Sequence, residues 1–165
     1  MIPKVSVIMP SFNSCRHIEE AIYSVLNQTY QNLELLVIDG GSSDTTIELV
    51  SKISSNDFRL VYVNNINDDG PAHARQSGIE ISKGEYIAFL DADDLWHKNK
   101  LFEQIKFMRK KNIDISHTSY EIIDDDLVIR GTRQAKLMNY KKLIKSCDIG
   151  LSTVIIKKSL IKNLR

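Results

Sequence analysis

Three aspartates stand close together in the sequence, directly after a short apolar segment. Asp91, Asp93 and Asp94 follow Tyr86–Leu90, a run with the length and composition of a buried strand. Clustered carboxylates repel one another unless they share a cation, and oxygen ligands on a rigid strand end suit Mg²⁺ or Mn²⁺, which bind carboxylates together with substrate phosphates. The cluster therefore indicates either a site for a metal-bridged diphosphate or an acidic turn in which Asp94 caps a helix.

Two further segments carry groups that suit a phosphate or a nucleotide. Asp39–Ser42, with the sequence Asp-Gly-Gly-Ser, offers flexible backbone, free amides and one carboxylate at the entrance of a predicted helix. Arg75 lies on a helix predicted over Pro71–Ser82, where a guanidinium can neutralise a phosphate or contact a base. Taken singly, the first segment is more often a helix-capping turn, and an arginine is more often a surface residue.

Strands and helices alternate through the first part of the chain. Apolar runs predict strands, and the segments between them have apolar residues at helical spacing. The predicted strands are Val5–Met9, Leu33–Ile38, Arg59–Val63 and Tyr86–Leu90. The predicted helices between them are Ile18–Leu26, Thr45–Ile53 and Pro71–Ser82. This alternation predicts an α/β fold with a right-handed, mostly parallel sheet flanked by helices.

Such a sheet binds its ligands beyond the carboxyl ends of the strands. The polar clusters that follow Met9, Ile38 and Leu90 are therefore expected to converge in space. After Asp94 the pattern changes. The later predicted elements are an amphipathic helix over Leu101–Lys111, extended structure over Ile113–Ile123, a helix from Asn139 to about Ser146 and a strand over Thr153–Ile156.

Composition predicts one globular domain without a marked net charge. The chain has 165 residues, 42% of them hydrophobic, and 22 Lys and Arg against 21 Asp and Glu leave a formal charge of +1, which argues against a nucleic-acid partner. From Lys136 to Arg165 eight basic residues accompany one acid, as in a solvated surface or a patch for anionic lipid or a phosphate-bearing acceptor.

Cysteine usage and hydropathy indicate the redox environment of the protein and its relation to a membrane. Cys15 and Cys147 have no metal-ligand spacing, so neither a zinc site nor a disulfide framework is indicated, and a reduced, cytoplasmic setting is expected. Since no apolar run approaches the length of a membrane span, we expect a protein that is soluble or peripherally attached to a membrane.

Five motifs, taken in order, resemble family 2 glycosyltransferases. These motifs are Val5–Asn13, Asn27–Tyr30, Val37–Asp44, Ala74–Gly78 and Gly84–Asp94. The resemblance is close over Pro3–Met108, and the segment from Asp94 to Ile105 is similar to members that build bacterial surface polysaccharides. It implies a GT-A fold, which is Rossmann-like, and a nucleotide-sugar donor.

The resemblance also assigns the donor site. The residues assigned to it are Pro10, Phe12, Asp39, Arg75, Asp91 and Asp93. In the family the first two border the nucleotide base, the aspartate after the second strand contacts that base, and the arginine lies near the nucleotide. Two positions depart from the usual pattern: Gly40 stands where a second acid is frequent, and Gln76 stands where asparagine is usual.

The family's Asp-x-Asp motif corresponds to Asp91 and Asp93. The resemblance implies that Asp93 binds Mn²⁺ or Mg²⁺ directly, with Asp91 as a second metal-site residue closer to the ribose. The implied reaction is a single displacement, in which a carboxylate base deprotonates an acceptor hydroxyl and the anomeric configuration inverts. The donor is expected to be a UDP-sugar, and the acceptor a saccharide or lipid-linked saccharide at the inner face of the cell membrane.

The general base of the family lies beyond the Asp-x-Asp motif. Asp124, Asp125 and Asp126 do not match its context, so we expect the base beyond residue 165 and a domain truncated at its carboxyl end. Residues 1–112 would form the nucleotide-sugar-binding part, and residues 113–165 the start of the acceptor side. The alternatives are a non-catalytic nucleotide-sugar-binding module and a nucleotidyltransferase, although Pro10–Asn13 lacks the latter's Gly-rich phosphate loop.

Overall fold

The computed structural model describes residues 2–65, 70–145 and 149–162. The strands are β1 Val5–Ser11, β2 Leu33–Asp39, β3 Leu60–Asn64, β4 Tyr86–Phe89, β5 Ile115–Ser116, β6 Tyr120–Ile123, β7 Ile129–Arg133 and β8 Ile155–Lys157. The helices are α1 Ile18–Leu26, α2 Thr46–Ser54, α3 Pro71–Ile81, α4 Lys100–Lys111, α5 Tyr140–Lys145 and α6 Lys158–Lys162, and a 3₁₀ turn spans Leu151–Thr153.

The main sheet has six strands in the order β3-β2-β1-β4-β8-β5. The first four of these strands run parallel, whereas β8 is antiparallel to both β4 and β5. β1 lies between β2 and β4, and its pairing with β2 extends from Val5 opposite Leu33 to Ser11 opposite Asp39. The mostly parallel α/β sheet predicted from the alternation of elements is therefore confirmed.

Apolar side chains cover both faces of the sheet. On one face Val7 and Met9 of β1 belong to a core that includes buried residues of α1, α2 and α4. On the other face Ile8 packs in a smaller core with Ala74 of α3 and Ile156 of β8. Because both faces are buried, β1 and β2 are apolar at most positions, as is typical of strands inside a parallel sheet.

The elements after α4 differ from their predicted form. The extended run expected over 113–123 is divided between two sheets, since β5 joins the main sheet and β6 pairs with β7 in a separate hairpin. β7 was not predicted because most of its residues are exposed, so its sequence shows no apolar alternation. α5 ends at Lys145, and Ser146 and Cys147 lie outside the described residues.

A buried polar cluster joins the amino ends of the central strands. Glu34 accepts hydrogen bonds from Ser6 Oγ at 2.5 Å, Lys4 Nζ at 2.9 Å and the amide of Lys83 at 2.7 Å. Burial alone would raise the pKa of Glu34, but the hydrogen bonds from Lys4 and Ser6 lower it overall. The amide of Gly84 donates to Ser6 Oγ at 2.8 Å, which brings the start of β4 against β1.

Gly84→Ala is expected to lower the free energy of unfolding by about 1–3 kcal/mol, the usual cost of overpacking a core. A Cβ at this position would lie 2.6 Å from the backbone nitrogen of Ser6 and 2.9 Å from the carbonyl oxygen of Lys4, and neither atom can rotate away. Gly131→Ala is the matched control, because the nearest atom to its added Cβ lies 3.8 Å away. Urea denaturation measures both, and equal stabilities would contradict the prediction.

Candidate functional site

A cleft of about 620 Å³ opens at the carboxyl edge of the parallel strands. Three of its walls are formed by the loop after β1, by Gly40 after β2 and by the residues after β4, and the start of α3 forms the fourth. The lining residues are Pro10, Ser11, Phe12, Asn13, Ser14, His17, Gly40, Gly70, Pro71, Arg75, Asp91, Ala92 and Asp93. The expected convergence of the polar clusters after the first, second and fourth strands is therefore confirmed.

Hydrogen bonds tie the loop after β1 to the loop after β2. The amide of Asn13 donates to Ser42 Oγ at 2.8 Å, and its side-chain oxygen accepts from the amide of Ser43 at 2.9 Å. The amide of Ser14 donates to Thr46 Oγ1 at 2.9 Å. Asn13 has a φ of 48°, a left-handed conformation that asparagine tolerates better than most residues. These bonds fix one wall of the cleft.

Asp39 is fully buried at the end of β2. Its carboxylate accepts hydrogen bonds from the amides of Gly41 at 3.1 Å and Ser42 at 2.8 Å, and from Ser42 Oγ at 2.6 Å. Gly41 has a φ of 85°, so glycine suits this turn. The side chain of Asp39 thus stabilises the loop, while Gly40 lines the cleft. A contact between Asp39 and a nucleotide base stays a prediction.

Pro10 and Phe12, which the resemblance assigns to the borders of the nucleotide base, both line the cleft, and their contact with a base stays a prediction. Pro10 is buried within β1, whereas the ring of Phe12 is 62% exposed. An exposed aromatic face at the cleft suits stacking against a flat, partly polar ring. Between them Ser11 is buried, and its Oγ has no hydrogen-bond partner among the described residues.

The three carboxylates of the aspartate loop, residues 91–94, have three different environments. Arg75 Nη2 donates to Asp91 Oδ1 at 2.5 Å. Asp94 Oδ2 accepts from Ser152 Oγ at 2.5 Å. Asp93 is exposed at the cleft and makes no hydrogen bond or ion pair with any residue that the structure describes. Asp93 is therefore the carboxylate available to a ligand.

The carboxylates of this loop could supply only part of the ligands of a divalent metal. The described residues contain no group of three or more His, Cys, Asp or Glu side chains placed to hold a metal ion. Mg²⁺ and Mn²⁺ commonly bind through one or two carboxylates and take their remaining ligands from substrate phosphates and water. Asp93, with Asp91 two residues away, could supply the protein's share of such a site.

Trp96 anchors the chain beyond the aspartate loop. Its ring is buried in the larger core, and its Nε1 donates to the carbonyl oxygen of Ser152 at 2.8 Å. Lys100 Nζ lies 4.2 Å from the centre of the ring. Trp96 therefore serves as a packing residue that fixes the segment following the aspartate loop.

The β6–β7 hairpin reaches back toward the cleft. Arg16 Nη2 lies 2.9 Å from Asp125 Oδ2, and His97 Nε2 lies 3.3 Å from Glu121 Oε2. Both pairs are mostly exposed, so each contributes little to stability. They nevertheless place the hairpin beside the loop after β1 and the segment after the aspartate loop.

Several lining residues were not singled out from the sequence. Ser14, His17 and Gly70 line the cleft, and their nearness to the motifs along the chain was the only available signal. No sequence pattern indicated a role for Ser152, because it contacts the aspartate loop from more than fifty residues away along the chain.

Ser42→Ala is expected to destabilise the fold by about 1–3 kcal/mol, because it leaves a buried oxygen of Asp39 and the amide of Asn13 without their shared partner. Ser43→Ala is the control, since the hydroxyl of Ser43 is exposed and makes only a 3.4 Å contact with Asn13. Urea denaturation of the two variants checks the difference. A Ser42 variant as stable as the Ser43 variant would show that the loop does not depend on this hydroxyl.

Lys100 is expected to make stability depend on pH. Its Nζ is buried without a hydrogen-bond partner among the described residues, and burial lowers its pKa from 10.5 to about 7. Between these values the unfolded chain binds the extra proton, so the stability of the wild type rises with pH. Lys100→Met removes the charge and keeps an unbranched stem, so its stabilising effect should be greatest below pH 7 and shrink as the pH rises.

Urea denaturation at about pH 6 and about pH 9 measures this difference. Lys98→Met is the control, because Lys98 is exposed and its charge stays in water. An effect of Lys100→Met that is the same at both pH values would contradict the prediction.

The chain matches a known protein family over nearly its whole length. The family model of Glycosyl transferase family 2 matches residues 6–162. The UDP-Glc:alpha-D-GlcNAc-diphosphoundecaprenol beta-1,3-glucosyltransferase WfgD of Escherichia coli is 42% identical over 157 residues, which are 95% of this chain and 61% of that protein. The putative teichuronic acid biosynthesis glycosyltransferase TuaG of Bacillus subtilis is 35% identical over 160 residues, which are 93% of this chain and 62% of that protein. The chain thus spans about three fifths of the length of these relatives.

Solved structures share the fold. The crystal structure of S. aureus TarS 1-349 in complex with UDP-GlcNAc has a TM-score of 0.80 and 25% identity, and the match covers 98% of this chain and 47% of that chain. The mannosyltransferase PcManGT from Pyrobaculum calidifontis has a TM-score of 0.75 and 21% identity, and the match covers 99% of this chain and 47% of that chain. These likenesses confirm the GT-A fold, and the family match confirms the resemblance: the chain belongs to glycosyltransferase family 2.

Proposed function

We propose that this chain binds a UDP-sugar together with Mn²⁺ or Mg²⁺, and that it is the donor side of an inverting glycosyltransferase. The observation that carries the proposal is the state of the aspartate loop. Asp93 faces the cleft with no partner among the described residues, while Asp91 beside it is paired with Arg75. A free carboxylate next to a fixed one, at the carboxyl edge of a parallel sheet, suits a metal that arrives with a diphosphate.

The choice of UDP rests on two relatives. The name of WfgD describes a UDP-glucose-dependent glucosyltransferase, and the TarS structure contains UDP-GlcNAc. The exposed ring of Phe12 and the wall formed by Pro10 offer a flat surface for the uracil. Arg75, whose Nε has no partner among the described residues, provides a cation beside the diphosphate.

A bound divalent metal would supply positive charge to the diphosphate as it leaves the sugar. Asp93 would hold it, and Asp91, oriented by Arg75, would stand nearer the ribose. The rigid connection between the loops after β1 and β2 would keep the nucleotide wall in place during the reaction. Inversion follows if the acceptor hydroxyl attacks the anomeric carbon directly, in one displacement.

The acceptor is proposed to be a saccharide or a lipid-linked saccharide. WfgD is named for an acceptor linked to diphosphoundecaprenol, and TuaG for teichuronic acid biosynthesis. Residues 1–112 would bind the donor, and residues 113–165, including the β6–β7 hairpin, would begin the acceptor side. The exposed basic residues Lys136, Lys141 and Lys142 are compatible with peripheral contact with the inner face of a membrane. Within the described ranges, no helix has the length and apolarity needed to cross a bilayer.

A binding module without turnover is the second candidate. Asp91 and Asp93 are the only carboxylates in the cleft lining formed by the described residues, and both are assigned to the donor and its metal. No general base is therefore assigned among these residues. The chain would in that case bind the nucleotide-sugar without transferring the sugar.

Calorimetric titration with UDP, with and without Mn²⁺, tests the donor site. We expect binding that depends on Mn²⁺ and that falls more than about tenfold in Asp93→Asn, since even the outer partners of metal ligands usually contribute 10- to 100-fold. Asp126→Asn is the matched control, because Asp126 lies in the exposed turn of the β6–β7 hairpin. Folded wild type that binds no UDP with or without Mn²⁺, or an Asp93 variant that binds like the wild type, would overturn the proposal.

Release of UDP from UDP-glucose then separates the enzyme from the binding module. An enzyme releases UDP in the presence of Mn²⁺ and an acceptor saccharide, or slowly to water, and the Asp93→Asn variant does not. Binding of UDP-glucose without release of UDP would favour the module.

A further inference from the structure

We propose that Ser152 is a positioning residue, which holds the aspartate loop so that Asp93 alone is free to bind the metal. The proposal concerns a residue of the 3₁₀ turn before β8, remote in sequence from all the motifs. The part that involves the metal rests on the proposed donor function. The part that concerns the shape of the loop does not.

The hydroxyl group of Ser152 makes two hydrogen bonds to the loop. Its Oγ accepts from the amide of Asp91 at 3.1 Å and donates to Asp94 Oδ2 at 2.5 Å. A serine hydroxyl has one proton to donate, so both its donor and an acceptor site are engaged at opposite ends of the loop. The carbonyl oxygen of Ser152 accepts from Trp96 Nε1 at 2.8 Å and adds a third attachment just beyond the loop.

The turn that carries Ser152 is itself firmly held. It leads directly into β8, which pairs antiparallel with β4, the strand that carries the aspartates at its carboxyl end. The carbonyl oxygen of Thr153 accepts a hydrogen bond from Gln104 of α4 at 3.0 Å, and Thr153 is buried. Ser152 therefore acts from a fixed frame, which is what an orienting residue requires.

Asp94 explains why the position of this hydroxyl matters. Asp94 is the third negative charge within four residues, and Ser152 Oγ is its side-chain partner among the described residues. Without that hydroxyl the Asp94 carboxylate would be released beside Asp93, where it would compete for the cation and repel its neighbours. The amide of Asp91 would also lose its acceptor, so Asp91 would be held by Arg75 alone.

Hydrogen exchange of the ligand-free protein tests the shape of the loop. In Ser152→Ala we expect the Asp91 amide and its neighbours in the aspartate loop to exchange up to about tenfold faster, because the amide loses its hydrogen bond to the Ser152 hydroxyl. Thr153→Val is the matched control: it removes a hydroxyl from the same turn, but that hydroxyl donates to Gly150 and does not contact the aspartates. Ser152→Ala with wild-type exchange in this loop would overturn the proposal.

Electron paramagnetic resonance of Mn²⁺ in the presence of UDP tests the consequence for the metal. Ser152→Ala should weaken Mn²⁺ binding about tenfold, as loss of a partner that orients metal ligands usually does. Thr153→Val should bind as the wild type does, and Ser152→Thr, which keeps the hydroxyl, should restore most of the affinity. Wild-type affinity in Ser152→Ala, or loss of the same size in Thr153→Val, would overturn the positioning role.

The two measurements separate this inference from the proposed function. If the wild type binds no Mn²⁺ with UDP, the proposed function fails and with it the role of Ser152 in metal binding. Hydrogen exchange still decides whether Ser152 shapes the loop.

Discussion

Three negative charges within four residues, at the end of one buried strand, are the constraint around which this site is arranged. Each of the outer two carboxylates is held by a different element: Asp91 by Arg75 of α3, and Asp94 by Ser152 of the turn before β8. These two partners offset part of the repulsion among the three carboxylates. Asp93, between them, is left facing the cleft, as the proposed metal site requires.

The position of β1 brings the remaining walls of the cleft to these aspartates. β1 is buried along its whole length between β2 and β4, so the loops that follow the three strands open at one edge. The hydrogen bond from the Asn13 amide to Ser42 Oγ joins two of those loops. The carboxylate of Asp39 accepts a hydrogen bond from the same hydroxyl and so stabilises the turn that makes this contact possible. These contacts therefore attach two walls of the cleft to the sheet.

The parts of the molecule that could be predicted are those where neighbouring residues decide the outcome. β2 could be predicted because Leu33–Ile38 is apolar except at Glu34, and the aspartate loop because it directly follows another apolar strand. The burial of Asp39 could not be predicted from the sequence, since its hydrogen-bond partners depend on the turn adopted by Gly41. The contacts of Ser152 could not be predicted for a related reason: they join segments about sixty residues apart, and no local sequence pattern indicates them.

The charge of the cleft gives a physical reason why the proposed donor site would depend on a metal. The residues that line it carry two carboxylates, Asp91 and Asp93, and one guanidinium, Arg75. With histidine neutral, this lining is net negative, and Gly40 avoids a further negative charge at a position where the family often has an acid. A diphosphate alone would meet a site of its own sign, in a cleft where charges are incompletely screened. A divalent cation at Asp93 would reverse the sign of the lining, so the proposed site should bind the nucleotide and the metal together rather than one after the other.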